Sequence, residues 1–135
     1  MNKVIFDAVL RASARLSRSP AGFVVPPLMR GLGRVVHLAR RLPGSALPAD
    51  DAARAWQSAF PSRRVVPIVE AAPDVTTARI LAPCPLAGTG DLRACERLMA
   101  YDRGLLAPMG ARLTVVASQA AGRASCLVAI HRGGA

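Results

Sequence analysis

Arg112-Leu113-Thr114-Val115-Val116-Ala117-Ser118-Gln119, then Ala120-Ala121-Gly122-Arg123, then Ser125-Cys126-Leu127-Val128-Ala129-Ile130-His131-Arg132, is the stretch that decides the fold. Two runs rich in apolar and β-branched residues flank a short glycine-containing connection, the pattern of a β-hairpin. Side chains alternate across a strand, so Cys126, Val128 and Ile130 share one face while Leu127, Ala129 and His131 share the other.

Working back from this hairpin, Gly110 suits the exit of a helix that starts at the N-cap Asp91 and runs to about Ala107. Before that helix, Val65–Val69 and Thr76–Leu81 flank the turn Ala72-Pro73-Asp74 and form a second hairpin. Pro67 has no N–H to donate, so its strand is expected at a sheet edge. Three helices come first. The helix over Val4–Leu16 turns Ile5, Ala8, Val9, Ala12 and Leu16 to one side and Asp7, Arg11, Arg15 and Arg18 to the other. The second opens at Pro26-Pro27; its spacing sets Leu28, Leu32, Val35, Val36 and Ala39 inward and Arg30, Arg34, His37 and Arg41 outward. The third, Asp50 to Phe60, has acids in its first turn and aims Ala52, Ala53, Trp56 and Phe60 at a core.

The expected fold is therefore α+β. N-terminal helices precede a hairpin–helix–hairpin, and a four-stranded antiparallel sheet is covered by helices on one face. Residues 1–135 read as a single domain, with a basic helical part at 1–61 and the hairpin–helix–hairpin part at 62–135.

Hydrophobic residues make up 52% of the chain, which is enough to pack a core and argues against disorder. Aromatic residues are only 4%, too few to build base-stacking platforms, so nucleic acid is not an expected partner. No apolar run reaches membrane-spanning length, because Asp7, Arg11, Arg30, Arg34, Arg40 and Arg41 interrupt the candidates. Val4-Ile5-Phe6 meets Asp7 too soon for a secretory signal, and three cysteines at irregular spacing do not make a disulfide framework. The expected location is cytoplasmic. The net charge of +10 is uneven: Lys3, Arg11, Arg15, Arg18, Arg30, Arg34, Arg40 and Arg41 face Asp7 alone in the first third. Peripheral contact with an anionic membrane is thus a second expectation.

The candidate chemistry lies in Cys84-Pro85-Leu86-Ala87-Gly88-Thr89-Gly90-Asp91-Leu92-Arg93-Ala94-Cys95 and in Gly122-Arg123-Ala124-Ser125-Cys126. Cys95 shares a helical stripe with Leu92, Met99 and Leu106, Cys84 ends a strand, and Cys126 faces the core. Helix and sheet packing therefore directs all three toward one region. Each is open to three readings: a small apolar filler, a reactive thiol, or a ligand for a soft metal, although paired C-x-x-C spacing is missing. Asp102, seven residues after Cys95, falls on or beside the buried stripe, where desolvation suits acid/base work. Glu96, near Arg93 and Arg97, reads as an ion-paired surface group. Gly88-Thr89-Gly90 reads as a turn ahead of the Asp91 cap more readily than as an anion cradle.

Cys84-Pro85-Leu86, Cys95 with Asp102, and the Gly-x-x-Ser-Cys-x-Val-x-Ile ending from Gly122 to Ile130 resemble L-2-amino-thiazoline-4-carboxylic acid hydrolase-like proteins. More distantly they are similar to the 4-vinyl reductase small-molecule-binding domains, whose fold is shared with TRAPP transport subunits. About the last 70 residues carry the likeness. It implies a pocket between helices and sheet, with Cys84, Cys95, Asp102 and Cys126 at matching positions.

The leading expectation is a protein that binds a small, largely apolar ligand through Cys84, Cys95, Met99, Asp102 and Cys126. If it is an enzyme, it would hydrolyse a small ring or thioester-like substrate with Cys84 or Cys126 as nucleophile and Asp102 as base. A metal, if bound, would sit among Cys84, Cys95 and Cys126. The alternative is a basic interaction module for an anionic membrane surface or acidic partner. Homodimerisation through the N-terminal helices is left open.

Overall fold

The computed structural model describes residues 3–133. Helices α1 (Lys3–Ser17), α2 (Val25–Ala39) and α3 (Ala49–Ser58) precede strands β1 (Ile68–Glu70) and β2 (Val75–Ile80). Helices α4 (Leu92–Leu98) and α5 (Ala100–Leu106) then lead to β3 (Ala111–Ala117) and β4 (Cys126–Arg132). The four strands form one antiparallel sheet in the order β1-β2-β4-β3, so the second strand of each hairpin, β2 and β4, is central, while β1 and β3 are edges. The fold is α+β, with the helices on one face of the sheet.

Strand alternation is kept. Thr76 pairs with Ile130, Ala78 with Val128 and Ile80 with Cys126, and Leu113 joins Ile130 from the other side, so these residues share the inner face. On the outer face His131 exchanges a 2.9 Å hydrogen bond with Thr114, away from the cysteines. Pro67 stands just before β1, which is an edge strand; its carbonyl accepts from Arg79 N. Val65, expected to open the first strand, instead ends a 3-10 turn over Arg63–Val65 that the Ser62 hydroxyl caps.

The helices form two layers. α3 and α5 pack directly on the sheet, while α2 packs over α5 and α1 over α4. α2 and α5 approach backbone to backbone, because Gly33 of one meets the Tyr101 carbonyl of the other, and Gly104 meets the Arg30 carbonyl. A single apolar core runs from Ala14 and Met29 through Trp56 and Leu105 to Val128 and Ile130.

That close crossing changes the expected helix faces. Leu28, Val35 and Ala39 are exposed, and Val25, Met29, Gly33, Val36 and His37 form the buried side of α2. The spacing sets His37 outward; instead its Nδ1 lies 3.1 Å from the Leu105 carbonyl, which satisfies the ring inside the helix pair. On α1 the buried or half-buried residues are Phe6, Asp7, Val9, Leu10, Ser13, Ala14, Leu16 and Ser17, so Ile5, Ala8 and Ala12 are exposed and Asp7 is half-buried, contrary to expectation. The third helix keeps its reading: Ala52, Ala53, Trp56 and Phe60 are all buried. The expected long fourth helix is divided at Met99 into α4 and α5, and it exits through Gly110 at φ +66°.

Candidate functional site

Asp91 starts α4 as an N-cap, its Oδ1 accepting from Ala94 N at 3.0 Å. This sets Cys95 one turn in, facing the sheet. The loop before it does not cradle an anion, since Gly88 N donates to the Gln119 carbonyl and Gly90 N to the Ala120 carbonyl. Glu96 pairs with Arg103 at 2.7 Å rather than with Arg93 or Arg97, while Arg97 donates to the Ser17 carbonyl.

The division at Met99 rotates the next turn so that Tyr101 and Asp102 are buried under the outer helices. Asp102 is 7% exposed, and Trp56 Nε1 donates to its Oδ1 at 2.8 Å. Burial pushes its carboxyl up to about 6, against the opposing effects of the Trp56 hydrogen bond, its own backbone N–H and Arg103. Tyr101 is also pushed upward, by burial first and then by the neighbouring Asp102 charge. Trp56 in turn packs edge-on against Phe60, 5.0 Å between ring centroids, and Phe60 against Phe6 at 6.1 Å. A chain of rings thus links the carboxylate to α1.

Of these groups, Phe6, Phe60, Tyr101 and Asp102 line an apolar cavity of about 80 Å³. The outer layer supplies Phe6, Val9 and Leu10 from α1 and Met29 and Leu32 from α2. The opposite wall holds Cys95, Leu98, Met99, Tyr101 and Asp102, and the sheet side adds Ile80, Cys84 and Cys126. All five residues expected to contact a ligand, Cys84, Cys95, Met99, Asp102 and Cys126, therefore stand on one wall-lining set. Among the described residues, Asp102 is its only acidic member.

The thiols are held quietly. Cys95 Sγ lies 3.3 Å from Ser118 Oγ, Cys126 Sγ accepts from Gln119 N at 3.3 Å, and Cys84 Sγ accepts from Leu86 N at 3.4 Å. Burial raises both Cys84 and Cys95 above the ordinary thiol range, and the hydrogen bonds from Leu86 and Ser118 only partly offset this. The other cysteines push in the same direction, because a charge on one disfavours a charge on the next. No disulfide links them: all three are free. The metal reading loses its geometric basis, since among the described residues no three His, Cys, Asp or Glu side chains form a group able to hold an ion.

Two residues that organise the site are not assigned to it by the sequence pattern. Gln119 is buried, accepts from Cys84 N at 3.1 Å and donates to the carbonyls of Ile80 and Ala82 at 3.2 and 3.0 Å. It ties the β3–β4 connection to the cysteine loop. Trp56 was placed in the core but not with Asp102, its partner 46 positions away. The only available signal was a polar residue, Gln119, at the end of an apolar strand.

No family model, curated protein or solved structure matches this chain. Among the described residues, no helix is long and apolar enough to cross a membrane.

Proposed function

We propose that the chain binds a small, largely apolar molecule in the cavity between its outer helices and the sheet. The observation that carries this reading is the apolar wall with one buried carboxyl, Asp102, anchored by Trp56. Such a wall selects a compact apolar body with one polar group aimed at Asp102. The resemblance of the last 70 residues to hydrolase-like and 4-vinyl reductase-type small-molecule-binding proteins supports it.

Hydrolysis fits the site less well than binding. A cysteine nucleophile acts as its thiolate, and burial holds Cys84 and Cys95 as thiols near neutrality. In this reading Cys84, Cys95 and Cys126 are wall and Asp102 is the anchor. The basic outer layer supports a second, independent reading, contact with an anionic membrane surface, because no acidic residue occurs between Ala8 and Ala49.

At about 80 Å³ the cavity is roughly half the ~150 Å³ of an engineered core that takes up benzene or xenon. Xenon is thus the suitable probe, and Trp56, the one tryptophan in the chain, reports on it by heavy-atom quenching. Saturable quenching under xenon pressure is expected for the wild-type protein, and Ala82→Leu, which fills the cavity from its loop wall, should abolish saturation. A linear response in the wild type, or an unchanged one in Ala82→Leu of normal thermal midpoint, would overturn the binding reading.

A further inference from the structure

The outer side of α2 carries a second surface, unrelated to the cavity behind it. Leu28, Gly31, Val35 and Leu38 recur at intervals of three and four, so they line one exposed stripe about 15 Å long. Leu28, Val35 and Leu38 are 62%, 61% and 74% exposed, and Phe23, in the turn that leads into α2, is 70% exposed. Large apolar side chains aligned on a helix already buried on its other side are unusual for a face that meets only water. Arg30 and Arg34 flank the stripe, and Arg40 and Arg41 follow it. Among the described residues, none of these four has an ion-pair partner.

We propose that this face docks on an anionic lipid bilayer, with the stripe and Phe23 in the headgroup–acyl boundary and the arginines against lipid phosphates. Charge decides between the occupants. The segment from Ala8 to Ala49 holds seven arginines and no acid, so a second copy laid on the same face would oppose arginine with arginine. Nucleic acid would satisfy the arginines but leave the leucine stripe without a partner. Only a surface that is both anionic and apolar at shallow depth complements both features.

Phe23 also borders a cleft with Arg18, Arg93 and Arg97, where Arg18 is paired with Asp91 and Arg97 is tied to the Ser17 carbonyl. The cleft continues the basic surface beyond the N-terminal end of the stripe. On the inner side of the same helix, Met29 and Leu32 line the cavity, so α2 separates the docking face from the proposed ligand site. The docking inference rests on the second reading above, contact with an anionic membrane surface, and assigns its face; it stands independently of the ligand site.

The test is co-sedimentation of the full chain with vesicles of phosphatidylcholine alone or with 30 mol% phosphatidylserine, at low and high salt. Binding to the serine lipid only, weakened by salt, is expected, and Arg30→Glu/Arg34→Glu should lower partitioning by at least about 25-fold, from about fivefold per arginine lost. Leu28→Ser/Leu38→Ser, with unchanged charge and native circular dichroism, should also lower it. Arg79→Glu/Arg112→Glu, the same charge change on the outer face of the sheet, should lower it far less. Equal losses in the two charge variants would show a net-charge effect and overturn the assignment of the face. Absence of binding at low salt would also overturn it, as would a concentration-dependent dimer abolished by Leu28→Ser/Leu38→Ser, or binding to generic duplex as tight as to the vesicles.

Discussion

The two helical layers do opposite things with the same residue types. The inner layer, α3 to α5, buries Trp56, Asp102, Leu105 and Leu106 between the outer helices and the sheet, and α5 leaves almost nothing exposed. The outer layer, α1 and α2, buries one narrow side and leaves Val4, Ile5, Leu28, Val35 and Leu38 in contact with solvent. Apolar content therefore does not mark the core in this chain. What separates the layers is how closely each approaches its neighbour, and glycine sets that distance between α2 and α5. The cavity lies beside that crossing, where α1 and α2 face α4, the start of α5 and the sheet.

The sharpest way to break this arrangement is to hold the layers apart. A valine at Gly104 would place its Cβ against the Arg30 backbone, which no side-chain rotation relieves. Gly104→Val is expected to cost about 3 kcal/mol, the upper range for overpacking, measured by urea unfolding. Gly31→Val, on the exposed side of α2 with open space around it, should cost little. Similar losses for both would mean that the two faces of α2 are not as different as their packing indicates.

Asp102 gives the next largest effect, through pH. Its carboxyl titrates at about 6 in the folded protein against 3.8 without burial, so folding favours the protonated form. Its contribution is full below about pH 4 and is lost as pH rises through about 6; the gap corresponds to roughly 3 kcal/mol. Asp102→Asn keeps an acceptor for Trp56 and removes the titration. The stability difference between wild type and Asp102→Asn should therefore change between pH 4 and 6.5 and be flat above it. A difference independent of pH would remove Asp102 as the buried titrating group of the cavity.

Gln119 joins sheet and cysteine loop, and Gln119→Ala should cost about 2 kcal/mol by leaving Cys84 N and two carbonyls without partners. It should also speed the reaction of Cys84 with Ellman's reagent, since Cys84 is only half-buried and the loop would loosen. Cys95 and Cys126, both buried, should remain slow. Equal acceleration of all three would indicate general opening of the core instead of release of one loop.

The legibility of the sequence follows the same division. Strand alternation put Cys126 on the inner face and His131 on the outer, and helix phase put Cys95, Met99 and Asp102 on one side, because both are local periodicities. The facing of α2 was misread because leucine and valine occupy both of its sides, and the residues that decide, Gly33 and Gly104, act through a contact between helices far apart in sequence. His37 was misread for the same reason: its partner, the Leu105 carbonyl, exists only once α2 and α5 have packed. The Trp56–Asp102 and Gln119–Cys84 bonds are likewise tertiary, and periodicity carries no trace of them.

The smallest predicted effect tests the exposed stripe most directly. Val36 and Leu38 are two residues apart on one helix, yet Val36 belongs to the core cluster while Leu38 is 74% exposed. Leu38→Ser should therefore change stability by no more than about 0.5 kcal/mol, the range for surface positions. Val36→Ala removes buried methyl groups and should cost about 2 kcal/mol, as large-to-small core changes do. If Leu38→Ser instead cost more than Val36→Ala, Leu38 would be packed in the folded protein and the stripe would not be a free face. A near-neutral Leu38→Ser that nevertheless weakens vesicle binding would show that the side chain is retained for what it meets outside the fold.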